Sequence, residues 1–355
     1  MNRTQGRRLG AALTVSAALL TAVAANAHAS IAVDLRVTTN DPAELANLRQ
    51  YVPSTTAVKT FAGDDCFDPT PPIKQSSGKT YTQPTPTMLG AVDEAATARD
   101  ELRPLRVSDA DYSTFNALSI CSIDGARTPP GFFFLKTNHV GNSLGADLTF
   151  LNGGEQLLFY RSPPDFSADE ELDLTAPAQA TPGVPITVQV RSYAGDGTVA
   201  PTAGATVAGG DVPAKTDAAG NATVVFATPG ERTLFATKDY NDIPSQALKV
   251  CVEVDLAKDC RATRGLDIVG SYEPDRIDGT AGDDLVSLRG GNDKVKAGAG
   301  NDYIISRGGG RDTVRCGRGT DRVKADRKDR IAKSCEKVKR KNKKRDGGGK
   351  DKKGS

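Results

Sequence analysis

Between Asp275 and Ile331 the chain repeats itself every nine residues, and this constrains its folding more than any other feature. Aspartates stand at Asp275, Asp284, Asp293, Asp302, Asp312, Asp321 and Asp329, the interval slipping once to ten and once to eight. Two positions after each comes a β-branched residue: Ile277, Val286, Val295, Ile304, Val314, Val323 and Ile331. Before the early aspartates lie turns rich in Gly and Asn, such as Gly282-Asp283-Asp284, Gly290-Gly291-Asn292-Asp293 and Gly300-Asn301-Asp302. A period this short implies a solenoid in which each repeat is one turn plus one short strand.

The spacing also fixes the chemistry. Glycine permits the positive φ angles of a tight turn and leaves backbone carbonyls uncovered. The β-branched residues fall on inward-pointing strand positions, so stacked turns bury a narrow Val/Ile ladder. If two repeats make one coil, aspartates eighteen residues apart share an edge at roughly 4.8 Å, the strand spacing. Two such charges repel by about 1 kcal/mol in water and about 3 kcal/mol at an effective dielectric of about 20. A hard divalent cation between them reverses the sign and collects the free carbonyls. Calcium suits this set better than magnesium, because the ligands are numerous, flexible and all oxygen. The candidate ligands are Asp275, Asp283, Asp284, Asn292, Asp293, Asn301 and Asp302.

This stretch resembles the calcium-binding nonapeptide repeats of the RTX (haemolysin-type) family, with consensus Gly-Gly-x-Gly-x-Asp-x-(large apolar)-x. The resemblance implies a parallel β-roll with calcium held between turns. It departs from the pattern where Leu288, Ala297, Arg307 and Cys316 replace the first glycine. After Asp302 the turns also carry Arg311, Arg318, Arg322, Arg327 and Lys328. A guanidinium beside each acid would neutralise it without metal. Calcium is therefore expected from Asp275 to Asp302, and a metal-free, self-neutralised end beyond.

Residues 1–29 read as a secretory signal: Arg3, Arg7 and Arg8 precede an apolar run from Leu9 to Ala25, and Ala27-His28-Ala29 offers a cleavage site. No later segment is apolar enough to span a membrane. Loss of those three arginines would take the net charge from +2 to −1. From Lys337 on, ten Lys or Arg stand against Asp346 and Asp351, and 339–355 read as a disordered basic tail. Without interleaved aromatics or a recognition motif it does not indicate nucleic acid; anionic cell-wall polymer is the partner it would suit. Six cysteines in an exported chain read as three disulfides. Their order suggests Cys66–Cys121, Cys251–Cys260 and Cys316–Cys335, although fifteen connectivities are open.

Ahead of the repeat (265–338) lie two further modules. Residues 30–178 carry a strand-like alternation at 31–37, a helix from Thr87 to Arg103 with Thr87 as N-cap, and strands at 116–120, 131–136 and 155–160. That is an α+β module. Its segments Phe134–Val140 and Leu151–Tyr160 resemble the transcobalamin-like C-terminal domain of bacterial secreted proteins, with no corrinoid contact carried over. Beyond a Pro-rich linker at 175–183, residues 179–256 show short alternating strands between Gly, Pro and Asp turns, the pattern of a β-sandwich. Runs such as Thr216–Thr223 resemble bacterial Ig-like repeats, which implies a spacer or adhesion module.

The expected fold is thus mainly β and multi-domain. The expected function is that of a secreted or wall-associated, non-enzymatic calcium-binding protein. One alternative is a ligand- or glycan-binding module with a metal-free repeat, which would require a pocket lined by Phe132, Phe133, Phe134 and Tyr160. Another is an extracellular hydrolase using Asp64, Asp65, Asp109 or Asp111, but no GxSxG or HExxH signature accompanies them. His139, the one histidine after the signal, is expected to be a hydrogen-bonded loop residue.

Overall fold

One sheet ties the first module to the repeat region. The computed structural model describes residues 30–38, 44–64, 72–123, 133–161, 170–239, 242–254 and 264–341; Cys66, Asp65, Phe132, Cys260, the 1–29 segment and 342–355 lie outside them. The strand Ile31–Thr38 pairs antiparallel with Glu44–Val52 and parallel with Gln156–Arg161, which in turn pairs with Phe133–Thr137. Glu44–Val52 then accepts Arg264–Val269 as a parallel neighbour, with Arg49 opposite Ile268 and Gln50 opposite Val269. From there the sheet runs on through Asp283–Ser287, Tyr303–Ser306, Arg322–Ala325 and Lys337–Arg340.

Alternation explains the first module. Val33, Leu35 and Val37 are buried on one face, and the helix Met88–Ala98 covers them with Leu89, Val92, Ala95 and Ala96. Thr87 is the N-cap, its Oγ1 accepting from the Gly90 amide at 3.1 Å, which satisfies one of the orphan donors of the first turn. The helix stops at Ala98, short of Arg103, because Arg99 turns extended (φ −125°, ψ 119°). There its guanidinium reaches Asp267 of the roll, Nε to Oδ2 at 3.1 Å.

The middle module is a two-sheet β-sandwich. One sheet holds Glu171–Thr175, Ile186–Tyr193, Val199–Pro201 and Asn221–Val224; the other holds Gln179–Ala180, Leu248–Val252, Gly230–Thr237, Thr206–Ala208 and Ala214–Lys215. Its first strand begins at Glu171, ahead of the expected boundary at 179. The Pro-rich stretch hides this: Leu172, Leu174 and Ala180 alternate inward into the sandwich core, so the supposed linker contributes to both sheets. At the junction with the first module, Leu158, Tyr160 and Phe134 pack on Ile243. Phe133 packs against the first core. Phe133, Phe134 and Tyr160 are thus packed against core residues, which counts against the ligand-binding alternative.

Residues 264–340 form a parallel β-roll of about four turns. One face is the continuing sheet described above. The other is Arg276–Asp278, Lys294–Ala299, Thr313–Arg318 and Arg330–Ile331. In register, Arg276 faces Lys294, Lys294 faces Thr313 and Thr313 faces Arg330, so two repeats make one coil, as the period implies. Ile277, Val286, Val295, Ile304, Val314 and Val323 are buried in the ladder. Leu288, Ala297 and Cys316, three of the four departures from the glycine consensus, are also inside it, each 1% exposed or less, while Arg307 is only half-buried. Those three fill the interior rather than spoil a turn. Cys316 and Cys335 form a disulfide across the last coil. Cys121 and Cys251 are disulfide-bonded as well, but their proposed partners are among the residues not described. Lys339 and Arg340, placed by the sequence in a disordered tail, belong to the last roll strand, opposite Lys324 and Ala325.

Candidate metal centre

The repeat aspartates sit where each strand begins, and all seven are buried: Asp275, Asp284, Asp293, Asp302, Asp312, Asp321 and Asp329 are each at most 5% exposed. They stack along the two edges of the roll in hydrogen-bonded ladders. On one edge the Asp275 amide donates to Asp293 Oδ1 (2.9 Å), the Asp293 amide to Asp312 Oδ1 (3.0 Å) and the Asp312 amide to Asp329 Oδ1 (3.2 Å). On the other, the Asp284 amide donates to Asp302 Oδ1, the Asp302 amide to Asp321 Oδ1 (both 2.9 Å) and the Asp321 amide to Glu336 Oε2 (2.8 Å). One carboxylate oxygen of each acid from Asp293 on thus holds the coil before it, and the question is where the second one goes.

In the first coil the protein answers it. Asp275 Oδ2 accepts from the Ser271 amide (2.7 Å) and Oδ1 from Ser271 Oγ (2.9 Å). Asp284 does the same with Thr280, at 2.6 Å from the amide and 3.0 Å from Oγ1. Both hydroxyls stand four residues before their acid. At that position Asp293 has Arg289, while Asp302 and Asp321 have Gly298 and Gly317. There Asp293 Oδ2, Asp302 Oδ2 and Asp321 Oδ2 are buried with no hydrogen-bond partner. Asp329 closes the series with Oδ2 bonded to the Asp326 amide (2.6 Å) and Ser306 Oγ (3.0 Å). The Ser/Thr at the fourth preceding position is a sequence signal that the period alone does not reveal.

Buried carboxylates without partners resist ionisation. Burial, with Asp275, Asp312 and Asp329 as like-charged neighbours, pushes the Asp293 carboxyl up to about 8. Burial and the charges of Asp284, Asp321 and Asp283 push Asp302 up to about 7. Asp312 rises to about 6, again chiefly through burial, and Asp321 is raised for the same reason.

The expected neutralising cations do not reach these acids. Arg311, Arg318, Arg322, Arg327 and Lys328 are all exposed, and no ion pair joins them to a repeat aspartate among the described residues. The ladder therefore keeps its character past Asp302, through Asp321 to Glu336. The remaining members of the sequence-derived set lie on the turns. Asn292 Oδ1 accepts from the Arg311 amide (2.7 Å) and Asn301 Oδ1 from the Thr320 amide (3.0 Å), while Asp283 accepts from the Asn301 amide. They clamp successive turns together.

The turns leave room beside the acids. Gly291 has φ +101°, and a Cβ there would lie 2.7 Å from Asp293 Oδ1 and 2.3 Å from the Glu273 carbonyl. At Gly310 a Cβ would fall 1.4 Å from the Gly291 carbonyl oxygen. Glycine at these points keeps carboxylate and carbonyl oxygens uncovered. Among the described residues no three His, Cys, Asp or Glu side chains converge on one point, so any cation here draws on one or two carboxylates plus turn carbonyls. Such a set of hard oxygens fits calcium.

Residues 269–304 match the family model of the RTX calcium-binding nonapeptide repeat, in four copies. This segment is similar to a run of RTX repeats. Calcium is the ion such repeats bind, and the RTX match ends just where the arginine-rich turns begin. No curated protein and no solved structure matches the chain.

Other acids weighed in the sequence act as structural acceptors. Burial raises Asp109, but hydrogen bonds from Ser77, Tyr81 and Ser76 outweigh it and bring it down to about 2. Asp111 pairs with Lys74, and Asp64 accepts from Gln75 at 2.7 Å on the surface. His139 stacks on Tyr193, ring centroids 3.8 Å apart, with Nδ1 3.1 Å from Glu171 Oε2. That contact raises its pKa. It sits in a turn, as the sequence suggested, within ion-pair distance of Glu171.

Proposed function

We propose that this is an exported, non-enzymatic calcium-binding protein whose β-roll is completed by calcium between its coils. The observation that carries it is the set of buried, partnerless carboxylate oxygens on Asp293, Asp302 and Asp321. A divalent cation removes both the desolvation cost and the like-charge repulsion there. Asp275 and Asp284, already bonded by Ser271 and Thr280, anchor the ladder. Asp283, Asn292 and Asn301 hold the turn carbonyls in place. Asp321 joins the set although the sequence places it in a metal-free end.

Export is supported by the signal-like 1–29 segment and by bonded Cys316, Cys335, Cys121 and Cys251. Among the described residues no helix is long and apolar enough to cross a membrane. Calcium is abundant outside cells, so even weak sites fill and act as folding cofactors. The sandwich serves as a spacer, in keeping with its Ig-like resemblance, and the basic tail as a contact for anionic wall polymer. The deciding experiment is circular dichroism and thermal melting of the full-length chain with calcium and with chelator. Calcium is expected to raise the β signal and the melting temperature; a protein indifferent to both would sink the proposal. The full chain is required because Arg264–Val269 depends on Glu44–Val52 for its pairing.

A further inference from the structure

The roll is acidic within and basic without. Over 303–341 there are fourteen Lys or Arg against five Asp or Glu, and three of those acids, Asp312, Asp321 and Asp329, are buried. On the sheet that does not continue into the first module, register stacks Arg276, Lys294, Thr313 and Arg330 in one outward column. Asp278, Lys296 and Arg315 form the next. Every charged member of both columns is exposed. One internal pair, Lys296 to Asp278 at 3.5 Å, offsets a single cation. The strands carrying these columns bound a concavity of about 320 Å³.

We propose that this face binds a linear acidic polysaccharide, with one carboxylate per sugar ring, laid along the roll axis. Five cations and one anion on four strands leave on average one net positive charge per strand. The strands step by about 4.8 Å, close to the advance of one pyranose ring along such a polymer, so the three strands with net positive charge, those carrying Lys294 and Lys296, Arg315, and Arg330, meet successive carboxylates. Parallel in-register strands hold the array rigid, which reduces the ordering cost of binding. Arginine forks at both ends of the face suit carboxylates. Duplex nucleic acid fits less well: it carries a charge every 1.7 Å or so, roughly three per strand step, and neither column offers an aromatic ring for stacking. None of these side chains is a calcium candidate, so this surface stands apart from the metal ladder.

The test uses the full-length, calcium-loaded chain and short oligogalacturonates, titrated calorimetrically at low and physiological salt. The variant Lys294→Gln/Lys296→Gln/Arg315→Gln/Arg330→Gln is expected to lose about tenfold or more in affinity with its β signal intact. Should the quadruple variant lose that signal, Lys294→Gln and Arg315→Gln are measured singly, each expected to weaken binding about twofold or more. Deleting 342–355 is expected to leave most of the affinity. Unchanged affinity in the face variants, loss of binding with the tail alone, or duplex DNA binding as tightly as the oligogalacturonate would each overturn the proposal. Melting of the same samples with and without chelator reads the calcium ladder separately.

Discussion

Calcium and pH should act on the roll with opposite signs, and the size of the effect follows from two side chains. Asp293 and Asp302 are each 1% exposed and have folded pKa values pushed up to about 8 and about 7. A carboxyl whose folded pKa is raised favours the fold when protonated. Its contribution is fully present below the ordinary value near 4 and is lost as pH rises to the folded value. At about 1.4 kcal/mol per pH unit, each acid costs the calcium-free roll about 4 kcal/mol at pH 7 and between 1 and 2 kcal/mol at pH 5. Acidification from pH 7 to 5 should therefore stabilise the calcium-free protein by roughly 5 kcal/mol, a large share of a domain's typical total. With calcium bound the order reverses, because protons then compete with the metal. The assay is urea denaturation at both pH values, with calcium and with chelator. The variant Asp302→Asn sharpens it, since the amide oxygen can still accept from the Asp284 amide while the charge is gone. Calcium-free Asp302→Asn should be up to about 4 kcal/mol more stable than the parent at pH 7 and should gain less from calcium. A calcium-free protein that is no more stable at pH 5 than at pH 7, or an Asn variant that is destabilised without calcium, would overturn this account of the ladder.

Three further outcomes are expected. Reducing or removing Cys316–Cys335, which are 19 residues apart, should cost about 3 kcal/mol from loop-closure entropy, read by denaturation with and without calcium. Gly310→Ala drives a Cβ to 1.4 Å from the Gly291 carbonyl oxygen and should cost about 3 kcal/mol or more, with loss of β signal from the last coils. Gly195→Ala, where a Cβ meets nothing within 4 Å, should change stability by less than about 0.5 kcal/mol in the same melts.

Local pattern carried much of this fold. The nine-residue period gave the roll and its two repeats per coil, because a parallel stack has the same register at every step. Thr87 and the short alternating strands of 179–256 were readable for the same reason: each depends on neighbours a few residues away. The pairing of Glu44–Val52 with Arg264–Val269 was not, since more than two hundred residues separate the partners and neither edge carries a mark of the other. Nor was Leu172 with Leu174 legible as the start of the sandwich, because the prolines that follow read locally as a linker.

The misplaced arginines show why adjacency in sequence misleads in a strand. Successive side chains point to opposite faces, so a cation next to an inward residue is directed out. In Arg322-Val323-Lys324-Ala325 the apolar pair is buried while Arg322 is exposed and Lys324 half-buried over the ring of Tyr303. Asp321, one residue before Arg322, is fully buried and accepts its hydrogen bond from the coil before. An arginine on the outer face cannot enter that space without leaving water and breaking the alternation that buries Val323. Asp321 is therefore left, like Asp293 and Asp302, with a carboxylate oxygen that no protein group meets, and the arginines are left to make the outer surface basic. Buried acids and exterior cationic charge are two consequences of one alternation, which is why the proposed calcium set extends beyond the RTX match to Asp321.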